Sequence, residues 1–368
     1  MARHFGRVVE IESLAEFDEM ARAGASMRGW RVQDVDLTTR TDLLLRMDPR
    51  GALLLGASLT EPAEQHLRGG GALVFPAIPD VPFDPYRARL YAPDELYAGV
   101  ASSTYVQTPD ARIYAWYRRS GHDLARTLAE ALHDHAIDDA LEEAVDRQPA
   151  IGVMGSHALS RDAPSYPAAA RLGRSLARSG RLVITGGGPG AMEAVNLGAL
   201  LATYDDSALD EALALLTGVP GYEPDVGAWA RLALEVRRRW PDGGTSIGIP
   251  TWFYGHEPPN AFASLIAKYF HNALREDILL RLCSSGIVFL PGAAGTVQEI
   301  FQDACENYYA TEAAVAPMVL VGVQHWTREL PAWPLLELLA RDRVMASHLH
   351  LVDTVDEALD LLGAGGSG

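Results

Sequence analysis

Two glycine-rich segments carry the residue types that a phosphate-binding loop needs. The first is Gly186-Gly187-Gly188-Pro189-Gly190-Ala191-Met192-Glu193, and the second is Pro291-Gly292-Ala293-Ala294-Gly295-Thr296-Val297-Gln298-Glu299. Each segment follows a short apolar run and precedes a helical pattern, so that N–H groups at the start of a helix would face a ligand. Glycine also allows positive φ and lets a ligand approach the backbone closely. The two segments therefore predict ligand-binding loops at two helix N-termini.

The second segment adds a carboxylate that could act on a bound sugar. Gly295 and Thr296 would offer free N–H groups and a hydroxyl to a phosphate, and Glu299 lies one turn further along the helix. Such a carboxylate can orient a water molecule or stabilise positive charge on a ribosyl carbon. A structural alternative exists, because Thr-x-x-Glu before an apolar run is also a capping box that only satisfies helix-end donors. The first segment, taken alone, also fits a tight strand-to-helix turn that binds nothing.

Together the two loops resemble those of the LOG family, which carry GGG-x-x-G-x-M and PGG-x-GT-x-x-E in this order. The resemblance covers about residues 149 to 368 and includes Val153-Met154-Gly155-Ser156, Tyr166 and the Ala-Ala-Arg-Leu-Gly segment from Ala169. The variant Gly-Gly-Gly-Pro-Gly-Ala-Met-Glu-Ala is most similar to the long bacterial branch, the nucleotide 5′-monophosphate nucleosidases. Two positions depart from the family pattern: Ala293 replaces the second glycine of PGG, and Glu276 stands where many members have lysine.

The resemblance implies an N-glycosyl hydrolase that releases free base and ribose 5-phosphate from a nucleoside 5′-monophosphate, without a cofactor. Its catalytic pair would be Arg275, on the helix before the second loop, and Glu299. A guanidinium stays charged and can hold a phosphate or the leaving base, whereas the alternative is a surface arginine beside Glu276 and Asp277. His256 and Asn260 are candidates for lining the base pocket. The residues expected to bind phosphate or nucleotide are Gly155, Ser156, Gly187, Gly188, Gly190, Glu193, Gly292, Ala293, Ala294, Gly295 and Thr296.

Two other functions are alternatives to this hydrolase. A non-catalytic carrier of a nucleotide or of the molybdenum cofactor would use the same fold and would tolerate replacement of Glu299. A pyridoxal-phosphate lysine decarboxylase, a label historically attached to such sequences, needs a lysine for its Schiff base. The chain has a single lysine, Lys268, in an Ala-Lys-Tyr-Phe segment with no recognisable cofactor motif, and we reject this third function.

The elements that must position the loops alternate between strand and helix from about residue 151. Such alternation is typical of an α/β domain with a doubly wound, Rossmann-like parallel sheet, which binds ligands at the carboxyl ends of its strands. The predicted strands are 151–155, 182–185, 246–250, 286–290, 318–323 and 349–352, and the predicted helices are 167–178, 191–202, 261–282, 296–309 and 354–362.

Two further regions flank or interrupt this domain. Residues 204–244 break the alternation and are expected to form an insertion or lid containing a helix at 226–240. Residues 1–148 are expected to form a smaller α+β domain, with a boundary near Gln148 and Pro149, that regulates the enzyme or builds a homo-oligomer. We detect no internal repeat in it. Its predicted strands are 7–11, 52–55 and 72–75, and its predicted helices include 14–23, 122–136 and 138–145.

Composition excludes several classes of protein. The formal charge of −17 repels polyphosphate backbones, so nucleic acid is not an expected partner. Only Cys283 and Cys305 are present, and no apolar run approaches the length of a membrane span. His348 and His350 have no third ligand at metal spacing, so no metal site is expected. We therefore expect a cytoplasmic protein that binds a small molecule and no membrane.

Overall fold

The computed structural model describes residues 9–119, 121, 123–146, 148–254 and 257–365. By its internal contacts the chain forms two compact units. One unit is Met1–Arg89 with Ser120–Ala140, and the other is Leu90–Arg119 with Leu141–Gly368. Among the described residues, no helix is long and apolar enough to cross a membrane.

The first unit contains a four-stranded sheet in which every strand pair is parallel. Register partners in neighbouring strands lie 21, 22 and 20 positions apart, so the sheet is built by a repeated strand-and-helix unit of nearly constant length. Strands and helices thus alternate here too, which refines the predicted α+β description. Its elements are β1 (Val9–Ile11), α1 (Leu14–Ala23), β2 (Trp30–Gln33), α2 (Thr41–Leu44), β3 (Leu53–Leu55), α3 (Glu61–Gly69) and β4 (Leu73–Phe75).

The second unit is built around a seven-stranded parallel sheet, which confirms the predicted α/β class. Six predicted strands of this sheet are present, and in five of them every residue is buried, as a sheet covered by helices on both sides requires, whereas the residues of the edge strand at 349–352 are only partly buried. Its elements are α4 (Pro93–Leu96), α5 (Pro109–Arg119), α6 (Leu124–Val145, which begins in the first unit), β5 (Ala150–Met154), α7 (Tyr166–Arg178), β6 (Leu182–Thr185), α8 (Ala191–Leu200), α9 (Asp206–Leu216), α10 (Val226–Arg239), β7 (Ser246–Gly248), β8 (Leu265–Ile266), α11 (Asn272–Leu282), β9 (Ile287–Phe289), α12 (Ala294–Tyr309), β10 (Met318–Val321), α13 (Ala332–Ala340), β11 (Leu349–Val352) and α14 (Val355–Leu361).

The strand order β11-β10-β9-β5-β6-β7-β8 fixes where a ligand can bind. From β5 the chain continues outward through β6, β7 and β8, and it then returns to the other side of β5 with β9. The point between β5 and β9 is therefore the topological switch point, and a crevice opens there beyond the carboxyl ends of the two strands. The segments that follow β5, β6 and β9 are the loops singled out in the sequence.

One predicted helix, at 261–282, is wrong in its first half. The helix α11 begins only at Asn272, and the preceding residues form the edge strand β8, which pairs in parallel with β7. The residues from Ala261 to Phe270 are almost all buried, so their apolar pattern has no exposed face to distinguish a helix from a strand.

The predicted insertion at 204–244 packs onto the domain through two helices. The exposed face of α10 is basic, and its inner face buries Trp229, Ala230, Ala233 and Val236. The helix predicted at 226–240 is confirmed to within one residue. The loop between α9 and α10, which contains residues 217–225, extends towards the crevice.

Residues 90–119 belong to the second unit, so the contacts do not divide the chain at a single boundary near residue 148. Tyr91 and Ile266 exchange backbone hydrogen bonds of 2.9 and 2.8 Å at the edge of the large sheet. The Asp110 carboxylate also forms a buried ion pair of 2.7 Å with Lys268. These contacts explain why a segment from the predicted N-terminal domain is part of the second unit.

Candidate active site

Arg275 and Glu299 meet at the floor of the crevice. Arg275 Nη1 lies 3.2 Å from Glu299 Oε1, and Arg275 Nε donates a 2.8 Å hydrogen bond to the carbonyl oxygen of Ile249. The two residues are only 8% and 6% exposed. The alternative of a surface arginine is therefore wrong: α11 turns Arg275 inward, and the backbone after β7 holds its guanidinium in place.

Burial changes the acidity of Glu299. It raises the pKa of this carboxyl to about 7, while the adjacent Arg275 guanidinium acts in the opposite direction. At neutral pH the carboxyl is thus present in both its protonated and its charged form. A group with this pKa can accept a proton from water and release it again in one catalytic cycle.

The first glycine loop surrounds the guanidinium from the other side. A Cβ added to Gly186 would lie 2.8 Å from Arg275 Nη2 and 2.8 Å from Met192 Sδ, so only glycine allows this approach. Gly190 has a φ of 73°, and a Cβ there would lie 2.4 Å from the carbonyl oxygen of Ser156. The glycines of this loop are therefore needed for close packing within the protein, whether or not the loop also binds a ligand.

The second glycine loop leads directly into α12. The helix begins at Ala294 with Ala293 as its N-cap residue, so Thr296 is the third helical residue and is not a cap. The capping-box alternative is therefore wrong, and the carboxylate of Glu299 is directed to Arg275. Ala293, Ala294 and Gly295 are exposed at this helix end. Their backbone lies where a helix N-terminus attracts an anion.

These elements enclose a cavity of about 340 Å³, which we call the Arg275–Glu299 cavity. It brings together both predicted catalytic residues and six of the predicted binding residues. Six further residues that line it were not predicted from the sequence. The predicted members are Gly155, Ser156, Arg275, Ala293, Ala294, Gly295, Thr296 and Glu299, and the others are His157, Met192, Tyr254, Glu257, Glu276 and Gln298.

Glu276, which departs from the family pattern, is held beside the pair formed by Arg275 and Glu299. Its Oε1 accepts a 2.8 Å hydrogen bond from Asn272 Nδ2 and lies 3.6 Å from Arg275 Nη1. Its Oε2 accepts a hydrogen bond from Gln298 Nε2. Arg275 is thus placed between two carboxylates, and one of them is already bound by neighbouring amides.

Asn260, a candidate for the base pocket, lies behind the first glycine loop and lines no part of this cavity. Its Nδ2 donates to Gly188 O and to Asn196 Oδ1, each at 3.0 Å. Its Oδ1 accepts hydrogen bonds from the backbone N–H groups of Phe262 and Ala263. These bonds use both donors and both lone pairs of the buried amide, so Asn260 fixes the loop. His256, the other candidate, lies outside the described residues.

Glu193, predicted to bind nucleotide, forms a buried ion pair. Arg161 Nη2 lies 2.5 Å from Glu193 Oε1, and the guanidinium also donates to the carbonyl oxygens of Val219 and Trp229. Through these bonds Arg161 connects Glu193 on α8 to the backbone of the insertion. Glu193 lines a second cavity, described below, together with Gly190. Gly187, Gly188 and Gly292 do not line the Arg275–Glu299 cavity, and Gly292 lines a separate cavity together with Ser156 and Ala293.

A second cavity of about 560 Å³ adjoins the first, and we call it the insertion cavity. Tyr254, Glu257 and His157 line both cavities and so mark their junction. The far wall comes from the insertion, where Tyr222 and Trp229 meet edge to face with ring centroids 6.3 Å apart. Among the described residues, no group of three or more His, Cys, Asp or Glu side chains is arranged to hold a metal ion.

Two family models match parts of this chain. The SLOG cluster4 family matches residues 148–203, and the LOG-family model, described as a possible lysine decarboxylase, matches residues 232–364. The two matches support assignment of this domain to the LOG/SLOG superfamily. The residues between them lie within the insertion. No curated protein matches the sequence.

The solved structures that match this chain have low sequence identity to it. The molybdenum cofactor binding protein from the phototrophic bacterium Rippkaea orientalis is 19% identical, with a TM-score of 0.34, over 59% of this chain and 97% of that one. The molybdenum cofactor carrier protein from Chlamydomonas reinhardtii is 20% identical, with a TM-score of 0.36, over 59% of this chain and 99% of that one. Similarity at this level does not identify the ligand of this chain.

Proposed function

We propose that this protein hydrolyses the N-glycosidic bond of nucleoside 5′-monophosphates to give free base and ribose 5-phosphate. The observation that carries the proposal is the buried contact between Arg275 and Glu299 beneath the N-terminus of α12. The match to the LOG-family model supports a nucleotide-related function. The end of the second glycine loop, the carboxylate of Glu299 and the guanidinium of Arg275 are groups that this chemistry requires, and they line one cavity.

In this mechanism the exposed backbone at Ala294 and Gly295 receives the 5′-phosphate at the positive end of α12. Phosphate binding fixes the ribose above Glu299, so that interaction energy from a remote group orients the bond that breaks. An unphosphorylated nucleoside lacks this anchor. Nucleosides are therefore expected to be poor substrates.

Glu299 takes a proton from a water molecule as the water oxygen attacks C1′ of the ribose. The bond from C1′ to the base nitrogen breaks, and its electron pair leaves with the base, which then acquires a proton. The charged form of Glu299 also stabilises the positive charge that develops on the sugar in the transition state. Arg275 holds the carboxylate in this position through Nη1 and is itself held by Ile249.

One matching family model is described as a possible lysine decarboxylase, but we do not propose that activity for this chain. Lys268, the one lysine of the chain, is buried against Asp110 and lines neither the Arg275–Glu299 cavity nor the insertion cavity. A Schiff base would require this amine to be accessible. An absorbance scan of the purified protein for a pyridoxal chromophore tests this rejection.

The test is to incubate the purified protein with AMP, GMP, CMP, UMP and IMP, with adenosine as the unphosphorylated control, and to follow free base by chromatography. Glu299→Gln should retain nucleotide binding and lose turnover. Glu306→Gln, further along α12 and outside the cavity, is the matched control and should retain turnover. Binding of nucleotides without release of base from any of them would instead indicate a non-catalytic carrier.

A further inference from the structure

The mechanism above leaves one step without a residue, because the leaving base must acquire a proton. A purine or pyrimidine anion is a poor leaving group, and protonation by a positioned side chain typically contributes 10²–10⁴ in rate. Glu299 cannot supply this proton while it accepts one from water at the sugar. An acid is therefore needed on the side of the sugar where the base departs.

The junction between the two cavities contains a suitable group. His157 follows β5, and its Nδ1 lies 3.4 Å from Glu257 Oε1. The His157 side chain is 48% exposed, and within the described part of the chain its Nε2 forms no hydrogen bond. A carboxylate next to Nδ1 orients the ring and leaves Nε2 available to exchange a proton with a ligand. His157 thus pairs with a carboxylate in the way that acid–base histidines do.

The insertion cavity provides the space that a base needs beyond this junction. It is larger than the Arg275–Glu299 cavity, and it offers the aromatic side chain of Tyr222, on which a planar base can stack. Burial raises the pKa of the Tyr222 hydroxyl, and the nearby carboxylates of Glu257 and Glu223 raise it further. The nearby Glu193 is already neutralised by Arg161.

We propose that the base of the substrate occupies the insertion cavity and that His157, oriented by Glu257, is the catalytic acid that protonates the base as it leaves. This inference rests on the proposed nucleosidase activity and adds a residue and a subsite to it. The N-glycosidic bond breaks towards the base, its electron pair remains on the base, and the proton comes from Nε2 of His157. Solvent then reprotonates His157.

The test compares His157→Asn with the wild-type protein on two kinds of substrate. AMP and GMP need protonation of the leaving base, whereas N7-methylguanosine 5′-monophosphate and 4-nitrophenyl ribofuranoside 5-phosphate release a group that leaves without a proton. His157→Asn should lower kcat for AMP about 10²–10⁴-fold and lower kcat for the activated substrates less than tenfold. Glu257→Gln should show the same pattern with a smaller loss.

Two controls keep the outcomes distinct. His350→Asn, on β11 and outside both cavities, should leave all rates unchanged. Tyr222→Ala should raise KM for nucleotides and leave the binding of ribose 5-phosphate unaltered. Equal losses on both kinds of substrate in His157→Asn, or wild-type turnover of AMP without turnover of either activated substrate, would overturn the role of His157. Failure of the wild-type protein to hydrolyse any of these substrates would instead overturn the proposed function itself.

Discussion

Arg275 Nη1 and Glu299 Oε1 lie 3.2 Å apart and join the start of α11 to the second turn of α12 across the switch point of the sheet. Buried charged pairs are costly unless their remaining groups are satisfied. Here Nε of the guanidinium is bound by Ile249, and a second carboxylate, that of Glu276, lies close to it. The arrangement holds the pair in one geometry and leaves the glutamate facing the cavity.

Replacement of Arg275 by lysine tests whether this geometry matters in addition to the charge. Lysine keeps the positive charge, but it cannot donate to Ile249 and Glu299 through a planar guanidinium. Arg275→Lys should lower kcat for AMP roughly 10²–10³-fold, a loss typical of removing one positioned electrostatic group. Arg281→Lys on the same helix, where Arg281 is exposed and pairs with Glu142, is the control and should retain full activity. Equal activity in the two variants would count against a catalytic role of Arg275.

The pH dependence of turnover should report the ionisation of Glu299. Its pKa is raised to about 7, and its charged form is the base, so kcat for 4-nitrophenyl ribofuranoside 5-phosphate, whose leaving group needs no proton from His157, should rise with pH through about 7 and level off above 8. Below pH 6 the rate should fall nearly tenfold per pH unit, because the fraction of charged carboxylate falls in that proportion. Steady-state rates between pH 5 and 9 measure this. A flat profile between pH 5.5 and 8 would mean that Glu299 is not the base.

Asp303, one turn beyond Glu299 on α12, should make the protein less stable as pH rises. Burial raises the pKa of this carboxyl to about 8, and its Oδ2 has no hydrogen-bond partner within the described residues. In the unfolded chain the carboxyl would ionise near pH 4. Between about pH 4 and pH 8 the folded state therefore binds one more proton than the unfolded state. The free energy of unfolding should fall across this window, by at most about 1.4 kcal/mol per pH unit for this group.

Asp303→Asn removes this dependence while keeping the shape of the side chain. The variant should match the wild-type protein near pH 5 and be more stable than it at pH 8.5, as measured by urea denaturation at both values. Glu299 contributes in the same direction, so some decrease should persist in the variant. An unchanged slope of stability against pH in Asp303→Asn would show that Asp303 ionises normally in the folded protein.

The sequence was sufficient to predict the large sheet and the two loops, because short apolar strands and glycine-rich turns are local signals. Six strands of the second unit and the helices after both loops lie close to their predicted positions. Glu299 was also identifiable, since its spacing from Gly295 is set within one helix. The four strands of the first unit repeat at intervals of 20 to 22 residues, yet this repeat is not visible in the sequence because the repeated side chains differ.

The remaining features depend on contacts between distant segments, which local patterns do not encode. His157 and Glu257 are 100 positions apart and meet only because β5 and β7 end at the same edge of the sheet. Asn260 and Glu193 are polar residues next to predicted loops, and the sequence cannot show that protein atoms already satisfy them. The sequence also does not predict that Asp110 pairs with Lys268, because Asp110 lies in the segment predicted to belong to the N-terminal domain.

The buried pair of Asp110 and Lys268 gives the last prediction, which concerns stability. The two side chains are 2% and 1% exposed and lie 2.7 Å apart, and Asp110 also accepts hydrogen bonds from Trp252 Nε1 and Tyr105 OH. Removing one charge of such a pair leaves the other uncompensated in the interior. Asp110→Asn should therefore lower the free energy of unfolding by about 3–5 kcal/mol, and Asp110→Asn with Lys268→Met should recover part of this loss.

An exposed pair provides the control for that measurement. Arg281 and Glu142 lie 3.0 Å apart with side chains 54% and 55% exposed, so Glu142→Gln should cost less than about 1 kcal/mol. Similar losses of unfolding free energy in Asp110→Asn and Glu142→Gln would show that burial does not increase the contribution of the Asp110–Lys268 pair to stability. The pair of Asp110 and Lys268 also limits how the N-terminal region can be tested for a regulatory or oligomerising role. Deleting residues 1–148 would also remove Asp110, so lost turnover in that deletion would report an unpaired Lys268 unless residues 90–119 are retained.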